Sequence, residues 1–418
     1  MSVFYVKMAL IVQKFGGTSM GSIERIRNVA NRVCAEIALG NQVVVVVSAM
    51  SGETDRLINL FKEATGEAYA LNDKTIAEYD SVISTGEQVS SGLLSGMLNG
   101  MGKISRSFLG WQIKFKTSGH HSKASILGID PDLLNSFLNE GGIPIIAGFQ
   151  GVCEETGRQT TLGRGGSDTS AVAIAAALGA DRCDIYTDVD GVYTADPRIV
   201  KDARKIDQVG YEEVLEMASS GAKVLEPRSV ILAANFGVKV QVLSSFTHEN
   251  GTLLVSDNDI MEHGKITNVT STTKEVQVVM IGMPDIPGTS ARLFGLLADN
   301  NILVDVIAQS SGVDGTATIA FTINSADRPL AKDIITSHKE ELGYQSIRVN
   351  ESIAKVSVIG IGMKSNVGVA STMFKTLAAK NINILTISTS EIKVTVLIPA
   401  EYNELAVRSL HAAFELEK

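Results

Sequence analysis

The sequence has few cysteines, a small share of charged residues and no long hydrophobic run. Three cysteines, Cys34, Cys153 and Cys183, lie scattered among 418 residues, and such an odd, dispersed set indicates neither a disulfide framework nor a zinc site. No apolar run approaches the roughly 18 residues that cross a membrane, and no secretory signal pattern opens the chain. We therefore expect a cytoplasmic protein with no membrane partner and no bound structural metal.

Positive charge is also in short supply. Lys and Arg total 37 against 46 Asp and Glu, so the formal net charge is −9. An acidic chain of this kind is not held on nucleic acid by broad electrostatic attraction, and we expect no nucleic-acid partner. Hydrophobic residues make up 44% of the sequence, which is enough for a well-packed core. At about 150 residues per domain, the length predicts roughly three domains.

Up to about residue 255, short β-branched runs alternate with longer helical patterns. The five consecutive valines Val43 to Val47 are typical of a parallel strand buried on both faces. This alternation predicts an α/β fold with a doubly wound, mainly parallel sheet, whose ligands bind at the carboxyl ends of the strands. Further strands are predicted at Ile143 to Ala147, Ile185 to Thr187 and Val238 to Leu243, and helices at Ile23 to Leu39, Ile58 to Ala70, Glu87 to Asn99 and Asp168 to Leu178.

The C-terminal part contains an internal repeat. The stretches 276–322 and 356–398 share an Ile-Gly-Met, a short polar loop, a glycine, a helix and a following Ile, which indicates two copies of one βαββαβ-type module. We expect a catalytic domain over 1–260 and two modules over 265–350 and 351–418. The second copy ends in a helix without a closing strand, so we hypothesise that 265–271 completes its sheet.

Two common phosphate-binding signatures, G-x-x-x-x-G-K-[ST] and G-x-G-x-x-G, are absent from the sequence. IVQKFGGTS at 11–19 instead follows a strand with Gly16 and Gly17, whose backbone N–H groups can form an anion-binding nest beside Lys14. The alternative is a tight turn with a solvated lysine.

TLGRGGSDTS at 161–170 opens an alanine-rich helix. Ser167 or Asp168 is suited to cap that helix, and its N-terminus is a ready anion site. A cap does not explain Arg164 between glycines, where a planar guanidinium suits a carboxylate or phosphate.

Three further segments follow predicted strands or begin helices. STGEQ puts Glu87 in a first helical turn, where it either binds a ligand or favours the helix dipole. Ser48 and Thr54, in SAMSGET, reach a ligand or cap the next helix, and YTDVDGVYTADPR at 186–198 forms a functional loop or a β-hairpin. We expect His120 and His121 to face solvent rather than bind metal.

Together, KFGGTS, SAMSGET, STGEQ, AGFQG, TLGRGGSD and YTDVDGVYTADPR resemble the aspartate kinase (aspartokinase) family, which has the amino-acid kinase fold, and the repeat resembles its two ACT regulatory modules. The resemblance implies transfer of phosphate from ATP to L-aspartate, giving 4-phospho-L-aspartate in lysine, threonine and methionine biosynthesis. Mg²⁺ is implied as the ATP complex, with most of its ligands from phosphates and water.

The resemblance also implies roles for individual residues. Lys14 and the nest at Gly16 and Gly17 hold the phosphates, and Asp168 orients Lys14 or the metal-bound phosphates rather than acting as a base. Arg164 clamps the substrate α-carboxylate, and Glu87 accepts from its ammonium. The implied aspartate pocket further includes Thr54, Phe149, Gly165, Gly166 and Ser167. The implied ATP site further includes Phe15, Ser48, Thr187, Asp188, Tyr193, Arg198, Lys223 and Val224.

The repeat implies feedback control by lysine, threonine or both. The implied effector site comprises Asp285, Gly288, Ala291, Gln309, Asn381 and Ile382. A homo-oligomer is implied, or an α₂β₂ enzyme whose regulatory chain starts internally at Met261, which is otherwise an ordinary linker methionine. Two alternatives stay open: a kinase acting on glutamate or acetylglutamate, and a silent amino-acid sensor.

Overall fold

The protein is represented by a computed structural model, which describes residues 8–66, 73–222, 225–256, 266–312, 314–361, 363 and 368–418. The chain divides into two compact units. The first comprises 1–192, 205–218 and 223–261, and the second comprises 193–204, 219–222 and 262–418. Two short segments from within the first 260 residues therefore fold with the C-terminal part of the chain.

The first unit contains twelve of the strands in the described residues, together with eight helices. The strands are β1 (Leu10–Phe15), β2 (Gln42–Val47), β3 (Ser105–Phe108), β4 (Lys116–Thr117), β5 (Ile126–Gly128), β6 (Ile143–Ala147), β7 (Gln150–Cys153), β8 (Gln159–Thr161), β9 (Arg182–Thr187), β10 (Gln208–Gly210), β11 (Val240–Ser244) and β12 (Thr252–Val255). The helices are α1 (Ile23–Ala38), α2 (Glu53–Thr65), α3 (Asp73–Ile83), α4 (Thr85–Gly100), α5 (Asp132–Asn139), α6 (Gly166–Leu178), α7 (Tyr211–Ser219) and α8 (Pro227–Phe236).

Eight strands form the main sheet, in the order β10-β12-β11-β9-β1-β2-β6-β3. Adjacent strands within this sheet are parallel, except that β11 and β12 pair antiparallel. The valine strand β2 lies beside the central β1. Val43, Val45 and Val47 pack in the core with α1 and α4, while Val44 and Val46 are equally buried on the opposite face. The doubly wound, mainly parallel fold predicted from the valine run is confirmed.

A small second sheet, in the order β5-β4-β7-β8, lies in the same unit. Its last strand, β8, leads directly into the Gly-Arg-Gly-Gly segment that precedes α6. Because β6 and β7 are separated only by Gly148 and Phe149, the small sheet continues from the carboxyl edge of the main sheet. That connection brings the glycine-rich segment to the edge where ligands bind in such folds.

The second unit contains the remaining elements. Its strands are β13 (Asn268–Thr272), β14 (Glu275–Pro284), β15 (Val304–Ser311), β16 (Thr316–Asn324), β17 (Ser346–Asn350), β18 (Ile353–Ile359), β19 (Thr386–Thr389) and β20 (Lys393–Pro399). Its helices are α9 (Thr289–Asp299), α10 (Arg328–Ser337), α11 (Lys339–Leu342), α12 (Val369–Ala379) and α13 (Asn403–Ala413).

These elements form two four-stranded sheets. The first has the order β15-β16-β14-β17 and the second the order β13-β18-β20-β19. In the first, β17 closes the sheet by pairing antiparallel with β14. In the second, β13 takes the equivalent place beside β18, with Asn268 opposite Ile359 and Thr272 opposite Lys355. The strand that lies where 265–271 was expected therefore pairs in the second module, as hypothesised.

The segment 193–204, which we call the strap, is built into the second module. Ala195 and Val200 belong to that module's hydrophobic core, in which they are 2% and 7% exposed. Val269 of β13 donates its backbone N–H to the carbonyl of Thr194 at 2.9 Å. The Thr194 hydroxyl lies 2.9 Å from Nε2 of the buried His411 in α13. The strap is thus held by apolar contacts and by both backbone and side-chain hydrogen bonds.

Among the described residues, no helix combines the length and apolar character needed to cross a membrane.

Candidate active site

The lysine of the first glycine turn and the aspartate of the second are in contact. Lys14 lies near the carboxyl end of β1 and Asp168 in the first turn of α6, and Nζ lies 2.5 Å from Oδ1. Lys14 is only 8% exposed, which rules out the alternative of a solvated lysine. The contact brings the motifs at 11–19 and 161–170 to one place.

Close backbone packing surrounds Gly16 and Gly17. The Gly16 N–H donates to the Tyr186 carbonyl at 3.2 Å, and the rings of Phe15 and Tyr186 stack with centroids 4.6 Å apart. A Cβ on Gly17 would lie 3.2 Å from the Ala49 carbonyl oxygen. The turn after β1 therefore lies against the ends of both β9 and β2, and its closest approach is at Gly17.

Glu87 is a buried carboxyl at the start of α4. It is 4% exposed, Oε1 accepts the Ala49 N–H at 3.0 Å, and Oε2 has no hydrogen-bond partner among the described residues. Burial raises the pKa of this carboxyl to about 7, although the Ala49 hydrogen bond opposes the shift. A buried acid with one unused oxygen is suited to accept a cationic group.

Phe149 lies in a strained turn that shapes the start of α6. Its φ is 70°, a left-handed conformation that costs energy for a non-glycine residue. Its N–H donates to the Ser170 hydroxyl at 3.0 Å, and its carbonyl accepts from the Leu162 N–H at 2.9 Å. A Cβ on Gly166 would lie 2.8 Å from the Phe149 ring. AGFQG and TLGRGGSD therefore pack directly on one another.

α6 begins without a side-chain cap. Its N-cap is Gly165, with φ of 67° and no side-chain hydrogen bond, so the prediction that Ser167 or Asp168 caps the helix is wrong. Both lie inside the first turn, which leaves the Asp168 carboxylate available to Lys14. Ser167 is 8% exposed and packs beside Gly148, where an added Cβ would come within 3.0 Å of it.

Arg164 is exposed, and the acidic Glu226 lies close to the same loop. A Cβ on Gly165 would lie 2.4 Å from Cγ of Glu226. Burial raises the pKa of the Glu226 carboxyl, the negative charge of Asp168 adds to this, and the positive charge of Arg164 opposes it. Glu226 is a site residue that the sequence analysis did not include. The only local signal was the proline after it, which begins α8.

The other predicted residues of the first unit lie around these groups. The Ser48 N–H donates to the Phe15 carbonyl at 3.0 Å. The Thr187 hydroxyl donates to the Asp188 carboxylate at 3.1 Å, just after β9. Thr54 is the second residue of α2, whose N-cap is Gly52, so Thr54 does not cap that helix. No β-hairpin forms at 189–191 among the described residues, because β9 ends at Thr187 and the next strand is β10.

The four remaining predicted nucleotide ligands are Tyr193, Arg198, Lys223 and Val224. Tyr193 and Arg198 belong to the strap and hence to the second unit. There the Tyr193 carbonyl accepts from Asn268, and Arg198 pairs with Asp196 at 2.6 Å. Lys223 and Val224 lie outside the described residues. Their roles at the nucleotide stay predictions.

The two adjacent histidines differ. His120 is exposed, as expected. The expectation is wrong for His121, whose Nδ1 lies 2.8 Å from the fully buried Asp80 carboxylate. Within the described part of the chain, no three His, Cys, Asp or Glu side chains come together as metal ligands.

The predicted effector residues lie in both repeats. In the first module, Gly288 precedes α9 with φ of 95°, and the Ser290 hydroxyl donates to Gln309 at 3.1 Å. The Asp285 N–H donates to the carbonyl of Gly315, and Ala291 lies in the first turn of α9. In the second module, Asn381 has φ of 57° and Ile382 is 4% exposed, just after α12.

Comparison with known proteins agrees with this architecture. The chain matches the amino acid kinase family over 9–244 and the ACT domain over 276–338 and 356–414. It is 49% identical over 413 residues to the aspartokinase of Helicobacter pylori 26695, covering 98% of this chain and 100% of that protein. It is 47% identical over 411 residues to the aspartate kinase of Pseudomonas fluorescens SBW25, covering 98% of each.

Solved structures give the same result. Escherichia coli aspartokinase III, crystallised with aspartate and ADP in the R-state, is 28% identical, with a TM-score of 0.80 over 97% of this chain and 99% of that one. The same enzyme crystallised with lysine and aspartate in the T-state gives a TM-score of 0.75. From these matches over nearly its whole length, the chain belongs to the aspartate kinase family, with an amino acid kinase domain followed by ACT domains.

Proposed function

We propose that this protein transfers the γ-phosphoryl group of ATP to the side-chain carboxylate of L-aspartate, giving 4-phospho-L-aspartate and ADP. The contact of Lys14 with Asp168 carries the proposal, because it joins the two glycine-rich turns in one cleft. The structure of the related E. coli enzyme with aspartate and ADP supports the same substrate pair. The product would enter lysine, threonine and methionine biosynthesis.

Phosphoryl transfer depends mainly on alignment and charge stabilisation. Lys14 would stabilise charge on the transferring phosphoryl group, assisted by the backbone N–H of Gly17. The Gly16 N–H already donates to the Tyr186 carbonyl, so Gly16 would contribute close backbone approach instead. Asp168 would hold the Lys14 ammonium in place rather than act as a base. A base is not needed, because an aspartate side chain with a pKa of about 3.9 is already ionised at neutral pH.

The aspartate pocket would lie between α4 and the start of α6. Arg164 would clamp the substrate α-carboxylate through its planar guanidinium. The unpartnered Oε2 of Glu87 would accept from the substrate ammonium. The pocket walls would be formed by Thr54, Phe149, Gly165, Gly166 and Ser167.

ATP would bind as its magnesium complex, with the metal held mainly by phosphates and water. Phe15, Ser48, Thr187 and Asp188 would contact the nucleotide from the first unit. Tyr193, Arg198, Lys223 and Val224 are proposed as further contacts.

The ACT modules would bind lysine, threonine or both as feedback inhibitors. The residues proposed to bind them are Asp285, Gly288, Ala291, Gln309, Asn381 and Ile382. The capture of lysine by the E. coli relative in its T-state supports an amino-acid effector. An effector of this kind would inhibit through its differential affinity for the active and inactive states.

A homo-oligomer, or an α₂β₂ enzyme with a regulatory chain started at Met261, is proposed as the assembly. Met261 itself lies outside the described residues. A short second polypeptide on a gel of untagged protein would support the α₂β₂ form. The three unpaired cysteines suit our proposal of a cytoplasmic location.

A hydroxamate assay that traps acyl phosphates tests the activity directly. We expect product with aspartate and none with glutamate or acetylglutamate. Lys14→Ala should lower kcat by about a thousandfold, since it removes a preorganised charge at the transferring group. Lys116→Ala, which removes a lysine paired with Glu154 at the surface, should leave kcat unchanged. Equal activity of Lys14→Ala and wild type would disprove the proposed role.

Effector control is tested by ADP formation in the presence of lysine and threonine, singly and together. We expect at least one combination to inhibit at fixed aspartate and ATP, because differential binding to two states shifts their populations. Unchanged rates under all three conditions would rule out feedback by these amino acids.

A further inference from the structure

Asp80, in the last turns of α3, is a completely buried carboxylate that the proposed mechanism does not use. It is 0% exposed. Oδ2 accepts from His121 Nδ1 at 2.8 Å and from the Thr161 N–H at 3.0 Å, and Oδ1 accepts the Thr161 hydroxyl at 2.6 Å. The Ser122 N–H contacts both oxygens, at 3.0 and 3.1 Å.

None of these donors belongs to α3. They come from the loop at 121–122 and from the last residue of β8. Burying a carboxylate is costly unless charge-assisted hydrogen bonds compensate for lost hydration. Every donor on Asp80 therefore holds its own segment in place against α3, and two of them are on Thr161.

Thr161 is the last residue of β8 and leads into the loop 162–165, which carries Arg164. The next residue, Leu162, donates to the Phe149 carbonyl at 2.9 Å, and its carbonyl accepts from Arg228 Nη1 at 3.0 Å. Beyond these contacts comes Arg164, exposed between Gly163 and Gly165, whose φ values are 82° and 67°.

Glycines on both sides of Arg164 leave that stretch of backbone with little local preference of its own. Its position therefore depends on how the two ends are held. α6 fixes the end at Gly166. At the other end, Asp80 holds Thr161, and the contacts of Leu162 with Phe149 and Arg228 hold the next residue.

We propose that Asp80 is a positioning residue for substrate binding, which acts through Thr161 to hold Arg164 where it meets the α-carboxylate of an amino-acid substrate. This inference rests on the proposed function, in which Arg164 clamps that carboxylate. Asp80 touches no reactant. Its effect is therefore confined to the amino-acid side of the reaction and spares the ATP side.

Thr161→Val is the sharpest variant, since it keeps the side-chain shape and removes one hydrogen bond to Asp80. Asp80→Asn is the second variant. Its amide NH₂ would face the N–H and O–H groups that now donate to the carboxylate, so at least one of those hydrogen bonds would be lost. The control is Asp130→Asn, which removes a surface carboxylate paired with Lys114 at 2.6 Å. Arg164→Ala sets the full size of the effect.

For Thr161→Val and Asp80→Asn, the KM for aspartate should rise about tenfold, as expected for loss of a hydrogen bond to a charged group. The KM for ATP and kcat should stay within about twofold, since the transition-state contacts on the phosphoryl group are retained. Asp130→Asn should match wild type in all three constants. An equal rise in both KM values, or no rise in either, would overturn the proposal.

Limited trypsin digestion follows the loop without requiring activity. Cleavage after Arg164, identified by mass spectrometry, should be faster in Thr161→Val and Asp80→Asn than in wild type and Asp130→Asn. A lower melting temperature with unchanged cleavage at Arg164 would make Asp80 a structural residue only and refute the inference. If wild type forms no aspartyl hydroxamate, the proposed function fails by itself, and the cleavage rate still decides whether Asp80 holds the loop.

Discussion

At the scale of single residues, the candidate site combines charges that are buried for different reasons. Lys14 and Asp168 are partly buried and compensate one another at 2.5 Å. Among the described residues, Glu87 has no cationic partner, and its pKa rises to about 7 because burial disfavours its charged form. Such a carboxyl destabilises the substrate-free protein when it ionises. We interpret this as a site that becomes fully favourable only when the substrate ammonium arrives.

The raised pKa of Glu87 predicts a pH-dependent penalty to stability. The unfolded carboxyl ionises near pH 4.5, whereas the folded one stays protonated up to about pH 7. Stability is therefore lost as the pH rises from 4.5, and the loss of about 3 kcal/mol is complete above pH 7. Glu87→Gln has no ionisation in this range, so its melting temperature relative to wild type should increase from pH 5 to pH 8.

Thermal melting of both proteins at pH 5, 6, 7 and 8, without aspartate, gives the measurement. The quantity compared is how the difference in melting temperature between Glu87→Gln and wild type changes with pH. A constant destabilisation by the amide does not affect that change. A Gln variant that tracks wild type at every pH would contradict the raised pKa. Glu140→Gln, at an exposed carboxyl that follows α5, serves as the control.

At the scale of elements, the sequence predicted the sheet more completely than the site. A run of five valines favours a strand that is covered on both faces, so β2 was predictable from the local sequence alone. The helix predicted from Ile58 begins earlier, at Glu53, since Gly52 in a left-handed conformation starts it without a side-chain cap. The spacing of apolar residues does not indicate where a helix begins when a glycine N-cap replaces a side-chain cap.

The parts of the site that were missed depend on contacts distant in sequence. His121 looked solvent-facing because nothing near it in sequence indicates that Asp80 is buried against it, 41 residues away. Glu226 meets Gly165 across 61 positions, again with no local pattern. Lys14, Glu87 and Asp168 were predicted because each lies near the start or end of an element, beside a glycine or a helix terminus. Their mutual arrangement came only from the fold.

A buried lysine links the two ACT modules. Lys355 of β18 is 2% exposed and pairs with Glu275 of β14 and Asp305 of β15. Burial by itself lowers the pKa of the Lys355 ammonium, but the two carboxylates outweigh burial and hold the pKa above its usual range. The ion pairs join a strand of the second module to two strands of the first.

Replacing Lys355 by Met should destabilise the second unit by about 3 kcal/mol, because two neighbouring carboxylates lose their cation. Adding Glu275→Gln should recover part of this loss, since the repulsion is then removed. Denaturant unfolding of the three proteins checks both changes. The control is Lys332→Met, at an exposed position in α10, which should leave the free energy of unfolding unchanged. A Lys355→Met protein as stable as wild type would show that the ion pairs contribute nothing to stability.

At the scale of the whole molecule, a chain started at Met261 would lack the strap. Val200 and Ala195 would then be missing from the core of the second module, and His411 would lose its partner Thr194. An unfilled apolar site and an unpaired buried nitrogen both reduce stability.

We therefore expect the 261–418 chain to melt at a lower temperature than the same unit in the full-length protein. A synthetic peptide of residues 193–204 should raise that melting temperature, and one carrying Thr194→Val should raise it less. Calorimetry measures all three. If neither peptide has an effect, the strap is not needed by the isolated regulatory chain.

The pairing of β13 with β18 has a consequence for how these modules can be exchanged. In sequence, the first module is nested inside the second, since one strand of the second precedes it and the rest follows. Cutting the gene between the repeats would leave one product with an orphan strand and the other with an open sheet edge. A transplant that respects the fold would move 275–350 as an insert, and would move the second repeat only together with 266–272.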